Sequence, residues 1–412
     1  MRRVVVTGIG VVSPLGCNLE SFWSGLVAGK SGIRKITKFD ASDSTSKIAG
    51  EVTDFNAEAF VSKKDKQKMD EYSIFAIAAS KMAVADSGID FSKENPDRCG
   101  AMIGSGIGGL QTLEVQHTIL MEKGPGRCSP YMIPQMISNM AAGLVAIEFN
   151  LRGPNACVVT ACASAAHSIG YAMRDIQRGD ADIMVAGGAE ACVCKFGIAG
   201  FCALKALCAN MNDQPEKASR PFDLNRSGFV MGDGSALLIL EEYEHAKKRN
   251  ARIYCELSGF GMTCDAFHMT APVDDGNGAA RAMTAAMRDA KVDPSRITYI
   301  NAHGTSTSLN DKIETKAIKL ALGEQNAKKV MISSTKSMTG HTLGAAAAIE
   351  SAALVLSIYK GVVHPTINQE TPDPDCDLDY VPNVAREVKI DAVLKNSLGF
   401  GGHNACLLYN KI

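Results

Sequence analysis

The chain has almost no net charge and no long uninterrupted apolar segment. Its 412 residues include 43 Lys plus Arg and 44 Asp plus Glu, a formal net charge of -1 at pH 7. This balance argues against a protein that binds nucleic acid through bulk charge, and it leaves room only for a local basic patch. The most apolar helix candidate, Leu343 to Tyr359, is interrupted by Glu350. We therefore expect neither nucleic-acid binding nor insertion into a membrane.

A secretion signal and a zinc motif are also missing. The opening sequence MRRVVVTGIG lacks the apolar core and the small-residue cleavage site of a signal peptide. Thirteen cysteines without such a signal indicate a reducing compartment, so we predict a cytoplasmic protein whose cysteines are mostly buried and unpaired. Cys192 and Cys194 are two positions apart, but no second pair follows at zinc spacing. We interpret them as two positions at the end of a strand.

No proline-rich or low-complexity linker divides the chain, and its two halves are expected to pack into one body. Short β-branched runs alternate with alanine-rich stretches of helical length, which predicts a largely parallel sheet covered on both faces. Residues Gly228 to Glu242 instead predict two short strands around the turn Met231 to Gly234. The predicted strands are Val4 to Thr7, Ala101 to Gly104, Ile183 to Ala186, Ile297 to Asn301 and Val330 to Ser333, and the predicted helices are Ser73 to Asp86, Gly278 to Ala290 and Thr342 to Tyr359.

A weak internal repeat relates the two halves. Residues Asn155 to Met173 and Val330 to Leu356 both contain a strand, a short turn and an alanine-rich helix. Cys162 opens the first of these helices and His341 opens the second. If the halves are pseudo-twofold copies, the two helices meet back to back and bring Cys162 and His341 together.

Cys162 is the candidate nucleophile. It lies in TACASAA, after an apolar run and at the start of a helix. The positive end of the helix dipole stabilises a thiolate, so we expect the pKa of Cys162 to fall below the free value of about 8.5. The alternative is a structural cysteine, which is the default for any one of thirteen.

Two histidines follow predicted strands or turns in the second half. His303 lies at the end of a strand in NAHGTSTSLND, where ligand sites of α/β folds are found. His341 lies in STKSMTGHTLGAAAA, where the dipole of the following helix disfavours a protonated imidazole. Lys336 is the natural partner for Glu350, which sits inside an apolar helix. The alternatives are a histidine that only satisfies a loop and a purely structural ion pair.

Glycines flank a further candidate near the C-terminus. In NSLGFGGHNA the backbone N–H of Phe400 is placed to complete an oxyanion hole with that of Cys162, although a glycine-rich turn between strands is the plain alternative. The motif GSGIGGL at Gly104 to Leu110 does not match G-x-G-x-x-G, and no ribose-binding acid follows. We therefore discount nucleotide binding.

Taken together, these motifs resemble the β-ketoacyl-[acyl carrier protein] synthases of the thiolase-like superfamily, over essentially the whole chain. The elongating type II enzymes are closest in pattern, because initiating synthases carry Cys-His-Asn and thiolases carry two cysteines. The retained Cys162 argues against a chain-length-factor subunit. The resemblance implies an α/β thiolase-like fold of two pseudo-twofold-related βαβαβαββ halves in a five-layer α-β-α-β-α body. Residues 1–250 would carry the nucleophile, and residues 251–412 the two histidines.

The resemblance also implies a two-step reaction without a required cofactor. Cys162 takes the acyl group from an acyl carrier protein. His303 and His341 then hydrogen-bond the thioester carbonyl of malonyl carrier protein and stabilise the enolate formed as carbon dioxide leaves. Attack of this carbanion on the acyl-cysteine gives a 3-oxoacyl carrier protein. Hydrogen-bond donors at the developing oxyanion matter more here than a strong base, which suits two neutral histidines.

Further residues are assigned through the resemblance alone. A homodimer is expected, with Ser129 to Met136 reaching the partner's pocket, and the carrier protein is expected to meet a basic surface whose alternative is a solvated helix face. The expected sets are Thr305 and Thr307 for the pantetheine arm, Ile107 and Phe201 for the acyl pocket, Phe400 for a mobile gate, Lys63, Lys64, Lys68, Arg127 and Lys205 for the carrier-protein surface, and Asn301, Glu350 and Asn396 for a structural monovalent cation.

Three other functions compete with this hypothesis. A polyketide or specialised-lipid synthase would use the same chemistry on another chain, and a catalytically silent subunit would only bind carrier protein. A metal-dependent hydrolase is disfavoured, because the histidines lack ligand-like spacing. Retention of Cys162, His303, His341 and Lys336 together favours catalysis over a scaffold.

Overall fold

The β-branched and alanine-rich segments form fourteen strands and fourteen α-helices in the computed structural model, which describes residues 1–412. The first half contains β1 (Val4–Val12), β2 (Arg34–Lys35), β3 (Ile48–Ala49), β4 (Cys99–Gly104), β5 (Asn155–Ala156), β6 (Ile183–Glu190) and β7 (Gly234–Glu242), with α1 (Leu19–Val27), α2 (Lys63–Lys66), α3 (Glu71–Ser87), α4 (Leu110–Lys123), α5 (Met132–Met136), α6 (Met140–Phe149), α7 (Ser164–Arg178), α8 (Lys195–Ala203) and α9 (Tyr243–Lys248).

The second half has as many strands as the first and fewer helices. It contains β8 (Cys255–Cys264), β9 (Ile297–Asn301), β10 (Met331–Ser333), β11 (Val362–Val363), β12 (Arg386–Glu387), β13 (Ala392–Gly399) and β14 (His403–Asn410), with α10 (Asn277–Ala290), α11 (Asn310–Leu322), α12 (Glu324–Ala327), α13 (Lys336–Thr339) and α14 (Ala346–Lys360).

Ten of these strands are hydrogen-bonded in the order β10-β9-β13-β14-β8-β1-β7-β6-β4-β5. Outward from the centre, β1-β7-β6-β4-β5 and β8-β14-β13-β9-β10 pair in the same antiparallel and parallel sequence. The two halves meet where Val5 and Val6 of β1 pair with Glu256 and Cys255 of β8. The predicted pseudo-twofold βαβαβαββ halves are thus confirmed, and the division after residue 250 stays a prediction.

Alternation along the strands divides the interior into layers. Met184 and Ala186 of β6 face the central core with α7 and α14, whereas Ile183 and Val185 face a second core with α3 and α6. In β14, Leu407 faces the same central core, and Leu408 faces a third core with α10. Successive side chains of a strand point to opposite faces, so each sheet half carries helices on both sides. This is the predicted five-layer α-β-α-β-α arrangement.

The central helices are buried on nearly all sides. Leu343–Lys360 is apolar and long enough to cross a membrane, but 89% of it is buried inside the protein. Its alanines let it approach α7 and the strands closely, which is the packing expected of a core helix. None of the thirteen cysteines is paired, and most are buried. Cys194 caps the start of α8 rather than ending a strand.

One local prediction was wrong. Residues 228–233 do not form the first strand of a hairpin with β7, and Met231 to Gly234 is not a hairpin turn. Only β7 joins the main sheet, antiparallel to β1 and β6. Met231 instead makes an isolated bridge to His341, and Gly232 one to Gly50. The β-propensity of this segment is satisfied by pairing with distant segments, which its sequence does not reveal.

Candidate active site

Cys162 lies in a tight turn between β5 and α7. The residue before it, Ala161, has φ +49, in the left-handed region that a residue with a Cβ rarely adopts. The hydroxyl of Ser164 holds the turn, because it donates to the Ala161 carbonyl at 2.7 Å and accepts from the Thr160 N–H at 2.9 Å. Backbone strain of this kind concentrates at functional sites. The turn presents the Cys162 thiol at the start of α7 with 9% of the residue exposed.

His341 is held by the segment that sequence alone misassigned. Its backbone N–H donates to the Val230 carbonyl at 2.7 Å, and its carbonyl accepts from the Gly232 N–H at 2.9 Å. The imidazole Nε2 then lies 3.0 Å from the Cys162 Sγ. The predicted meeting of Cys162 and His341 through the pseudo-twofold repeat is therefore observed.

His303 lies just after β9 and faces His341, with ring centroids 5.4 Å apart and planes at 86°. Its position is fixed by Glu314 of α11, whose carboxylate accepts the N–H groups of His303 and Gly304, both at 2.8 Å. Neighbouring Asp311 holds the next turn by accepting the N–H groups of Thr305 and Ser306. After the end of β9, these two buried carboxylates thus accept the backbone N–H groups that a neighbouring strand would otherwise pair with.

Lys336 contacts His303 from behind and does not line the cavity. Its ammonium donates to the His303 carbonyl at 2.6 Å and lies 3.3 Å from Nδ1 of the same ring. The predicted ion pair between Lys336 and Glu350 is present and fully buried. Because Lys336 donates toward Nδ1, the ring proton of His303 is on Nε2, the nitrogen left free to act as a donor. Lys336 is thus a positioning residue in the structure.

Burial keeps both histidines neutral. Desolvation, followed by the charge of Lys336, holds the pKa of His303 and of His341 well below the usual 6.5. Nδ1 of His341 has no hydrogen-bond partner within the protein. Neither tautomer of His341 is therefore fixed, and its Nε2 is able to accept a proton or to donate one.

The expectation of an acidic thiol is not met. Desolvation raises the pKa of Cys162 to about 12, and the charge of Lys336 only partly opposes this effect. The helix dipole acts on a group that burial has removed from water, and the cost of burying a thiolate is larger. Cys162 is therefore a neutral thiol at neutral pH, and His341 Nε2 at 3.0 Å is placed to take its proton.

A buried histidine of the second half, His364, makes the free energy of unfolding depend on pH. His364 is fully buried beside Thr335, and burial lowers its pKa to about 4. Below pH 6.5 the unfolded chain binds a proton at this position that the folded chain does not, so the free energy of unfolding falls as pH falls. The loss attributable to His364 reaches about 2 kcal/mol at pH 5.

Buried carboxylates such as Asp233, whose pKa burial raises to about 6, act in the opposite direction. The measurement is therefore a difference: urea unfolding of wild type and His364→Gln at pH 7.5 and pH 5. We expect the variant to lose less stability between the two pH values. An equal loss in both proteins would contradict the assignment. Exposed His268 supplies the matched control, His268→Asn.

The backbone of the C-terminal motif reaches the nucleophile. A Cβ on Gly399 would lie 2.6 Å from the Thr160 carbonyl oxygen and 3.4 Å from the Cys162 nitrogen, so only glycine fits there. Phe400 follows directly and lines the same cavity as Cys162. Phe400 and Cys162 thus lie at one cavity, and the pairing of their N–H groups as an oxyanion hole stays a prediction.

A cavity of about 300 Å³ opens onto these groups. Cys162, His303, His341 and Phe400 line it, together with the predicted substrate residues Phe201, Thr305 and Thr307 and the predicted carrier-surface residue Lys205. Ile107 does not line this cavity, and its side chain is exposed in the single chain. Its place in an acyl pocket stays a prediction.

The other carrier-surface candidates lie on the outside of the protein. Lys63 and Lys64 of α2 and Arg127 after α4 are exposed. Lys68 is partly buried and pairs with Asp65 at 2.8 Å. Their use as one basic surface stays a prediction.

Sequence reasoning missed three groups that build the site. Glu314 and the Val230 carbonyl fix the two histidines, and Lys395 pairs with Glu350 from the side opposite Lys336. Lys395 had a weak signal, since a lysine inside the apolar strand sequence AVLKNSLG needs a buried partner. Glu314 and Val230 had none, because each acts through contacts with segments far away in the sequence.

The residues predicted to bind a monovalent cation differ in the contacts that they already make within the protein. The side-chain oxygens of Asn301 and Asn396 receive no hydrogen bond from the protein, which favours a cation. The third predicted ligand, Glu350, already contacts Lys336 and Lys395. The residues present do not fit a cation in addition to two ammonium groups.

Comparison with known proteins shows which protein family the chain resembles. The family model for the N-terminal domain of β-ketoacyl synthase matches residues 1–246, and the model for the C-terminal domain matches residues 254–370. Proteins named 3-oxoacyl-[acyl-carrier-protein] synthase 2 from Synechocystis sp. and Vibrio harveyi are each 52% identical, covering 100% of this chain and 98% and 99% of theirs.

Solved structures of ketosynthases have the same fold as this protein. A type II polyketide ketosynthase in complex with its acyl-carrier protein superposes with a TM-score of 0.93 at 40% identity, covering 100% of this chain and 99% of that one. A β-ketoacyl synthase from Burkholderia phymatum superposes with a TM-score of 0.92 at 36% identity, covering all of both chains. Family models across most of the chain and relatives at half identity over its full length lead to one conclusion: the chain belongs to the β-ketoacyl synthase family.

Proposed function

We propose that the protein condenses an acyl-[acyl carrier protein] with malonyl-[acyl carrier protein], releasing carbon dioxide and forming 3-oxoacyl-[acyl carrier protein]. One observation carries the proposal. A buried thiol lies 3.0 Å from a neutral imidazole, and a second neutral imidazole faces the first inside the same cavity. A nucleophile that holds an acyl group and two donors that stabilise an enolate are the two requirements of a decarboxylating condensation.

In the first step, the Cys162 sulfur attacks the carbonyl carbon of the acyl thioester. His341 Nε2 takes the thiol proton as the S–C bond forms, which avoids a free thiolate in a site where burial raises the pKa of Cys162 to about 12. The backbone N–H groups of Cys162 and Phe400 donate hydrogen bonds to the oxyanion of the tetrahedral intermediate. The carrier thiol leaves with the proton from His341, and the acyl group stays on Cys162.

In the second step, the malonyl thioester enters and its carbonyl oxygen accepts hydrogen bonds from Nε2 of His303 and His341. The C–C bond to the carboxylate breaks, carbon dioxide leaves, and the electron pair forms an enolate. Lys336 keeps Nε2 of His303 protonated from behind. The enolate carbon attacks the carbonyl carbon of the acyl-cysteine, the C–S bond to Cys162 breaks, and the product leaves on its carrier. The Cys162 sulfur leaves as a thiolate and takes up a proton that water supplies through His341 Nε2, which balances the negative charge of the malonyl carboxylate lost as carbon dioxide.

The relatives favour fatty-acid elongation over a specialised pathway. Proteins named 3-oxoacyl-[acyl-carrier-protein] synthase 2 reach 52% identity, against 40% for the polyketide ketosynthase. That ketosynthase is bound to its acyl-carrier protein, which supports a carrier protein as the partner here. Lys205 at the cavity and the lysines of α2 would then meet its acidic surface. The unpaired cysteines fit a reducing compartment such as the cytoplasm.

A homodimer accounts for an apolar face that the single chain leaves open. Helix α4 has no buried residue over its whole length, and Ile133 of α5 is 57% exposed. Strand β5 ends the sheet with both residues exposed. A free strand edge beside an apolar face is characteristic of an interface, and the predicted partner segment Ser129 to Met136 lies on it. Light scattering should give twice the chain mass of 43.6 kDa.

The proposed reaction is tested by intact mass. Wild type mixed with acyl carrier proteins bearing chains of different length should gain the mass of one acyl group, with Cys162 as the modified residue. Addition of malonyl carrier protein should then remove that mass and yield 3-oxoacyl product. Absence of acylation with every donor would refute the assignment, and the rates across donors would give the chain-length preference.

A further inference from the structure

Two buried lysines share one carboxylate behind the active site. Lys336 and Lys395 are 1% and 0% exposed. Lys336 contacts one oxygen of Glu350, and the Lys395 Nζ lies 2.7 Å from the other. The mechanism uses Lys336, through His303, but it assigns nothing to Lys395. A buried ammonium that has no role in the reaction carries a desolvation cost, which requires an explanation.

The surroundings of Lys395 coincide with the predicted cation position. Its Nζ also donates to the Asn396 carbonyl and lies 3.4 Å from the Ser397 Oγ. Glu350 and Asn396 are two of the three residues that the family resemblance places beside a monovalent cation. Lys395 thus brings a positive charge to the Glu350 carboxylate, which such an ion would otherwise contact, whereas the side-chain oxygens of Asn301 and Asn396 have no partner in the protein.

The charges of this buried cluster also argue against a further cation. The cluster holds Lys336 and Lys395 against Glu350 and Glu314, and the Glu314 Oε1 is 3.3 Å from the Asn396 amide nitrogen. Two positive and two negative groups balance, so a further cation would be an uncompensated buried charge. Without Lys395 the set would carry one net negative charge, which a single monovalent cation neutralises.

We propose that the ammonium of Lys395 is a built-in replacement for the structural monovalent cation, so that this protein neither binds nor needs one at Glu350 and Asn396. The ammonium links Glu350, which supports Lys336 and His303, to the strand β13 that leads to Phe400. Lys395 therefore holds together the supports of the two parts of the site. The inference rests on the proposed function only where activity is measured.

The experiment compares wild type, Lys395→Ser and Lys395→Met. Thermal unfolding is followed in increasing KCl, with tetramethylammonium chloride keeping the ionic strength constant. Serine leaves room for an ion and removes the charge, whereas methionine removes the charge and keeps the volume. Wild type should show no K⁺-specific stabilisation. Lys395→Ser should unfold at lower temperature and be restabilised by K⁺, and Lys395→Met should be destabilised without this rescue.

Malonyl decarboxylation and acylation of Cys162 are measured in the same series as a second readout. We expect Lys395→Ser to lose at least tenfold in decarboxylation rate in the absence of K⁺ and to regain part of it with K⁺. K⁺-specific stabilisation of wild type would overturn the proposal, and this arm does not depend on the variants folding. A Lys395→Ser protein of full stability and no K⁺ response would also overturn it. Neither result would affect the proposed condensation, which the acyl-mass experiment tests separately.

Discussion

Cys162→Ala should lower the condensation rate by at least about four orders of magnitude and abolish the gain of acyl mass. In the proposed reaction the Cys162 sulfur takes the acyl group, and it is the thiol that lies 3.0 Å from His341 Nε2. Because alanine fits in the space of cysteine in this alanine-rich turn, the free energy of unfolding should change little. The measurement is intact mass with an acyl carrier protein, followed by product formation with malonyl carrier protein.

Cys162→Gln separates the two half-reactions. An amide at this position has no nucleophile to acylate, but it leaves both histidines in place, so malonyl decarboxylation should continue without condensation. Cys157→Ala, five residues earlier and only partly buried, is the matched cysteine control and should acylate normally. Normal condensation by Cys162→Ala would exclude the mechanism.

His303→Ala and His341→Ala should each lower the rate of malonyl decarboxylation by about 10²–10³-fold, the usual effect of removing one oxyanion donor. Each variant should lose more in decarboxylation than in self-acylation. The geometry separates them further: only His341 contacts the Cys162 sulfur, so His303→Ala should acylate at nearly the wild-type rate and His341→Ala more slowly. Acylation is followed by mass, and decarboxylation by release of carbon dioxide.

Asparagine supplies a conservative comparison for both positions. Its side-chain amide keeps a donor in place of the imidazole N–H, so His303→Asn should recover part of the decarboxylation lost in His303→Ala. His245, which contacts Glu241 and Glu94 and does not line the cavity, supplies the control His245→Gln, which should leave both half-reactions unchanged. If His303→Ala lowered the rate of acylation more than the rate of decarboxylation, the assigned roles would be contradicted.

Much of the fold was predictable because it rests on local periodicity. The strands ending at Gly104 and Asn301 and the alanine-rich helices are short-range patterns, and each forms close to the expected residues. The strand predicted from Val4 to Thr7 also forms, but it continues to Val12. The internal repeat added a long-range prediction, since equal order in two halves implies equal geometry. Residues 228–233 show the limit of such patterns. Their sequence is that of a strand, but Met231 and Gly232 pair with His341 and Gly50, more than a hundred residues away.

The candidate site also combines residues that could be identified from the sequence with residues that only the folded structure identifies. Cys162, His303 and His341 were recognisable from residue type and from their places at the ends of predicted strands or the starts of helices. Glu314 and Lys395 were not recognised, because a carboxylate or ammonium in an amphipathic sequence does not reveal which backbone atoms it will meet. Ile107 was assigned to the acyl pocket by resemblance and does not reach the cavity of the single chain.

The candidate groups, one thiol, two imidazoles and their flanking glycines, could be read from the sequence, because residue types and their order are fixed by the chain itself. The ionisation of these groups depends on the folded structure. The helix start predicted an acidic thiol at Cys162, but the layers packed around it remove water and raise its pKa to about 12. Desolvation is a property of everything within several ångströms of an atom, and those neighbours come from segments distant in sequence.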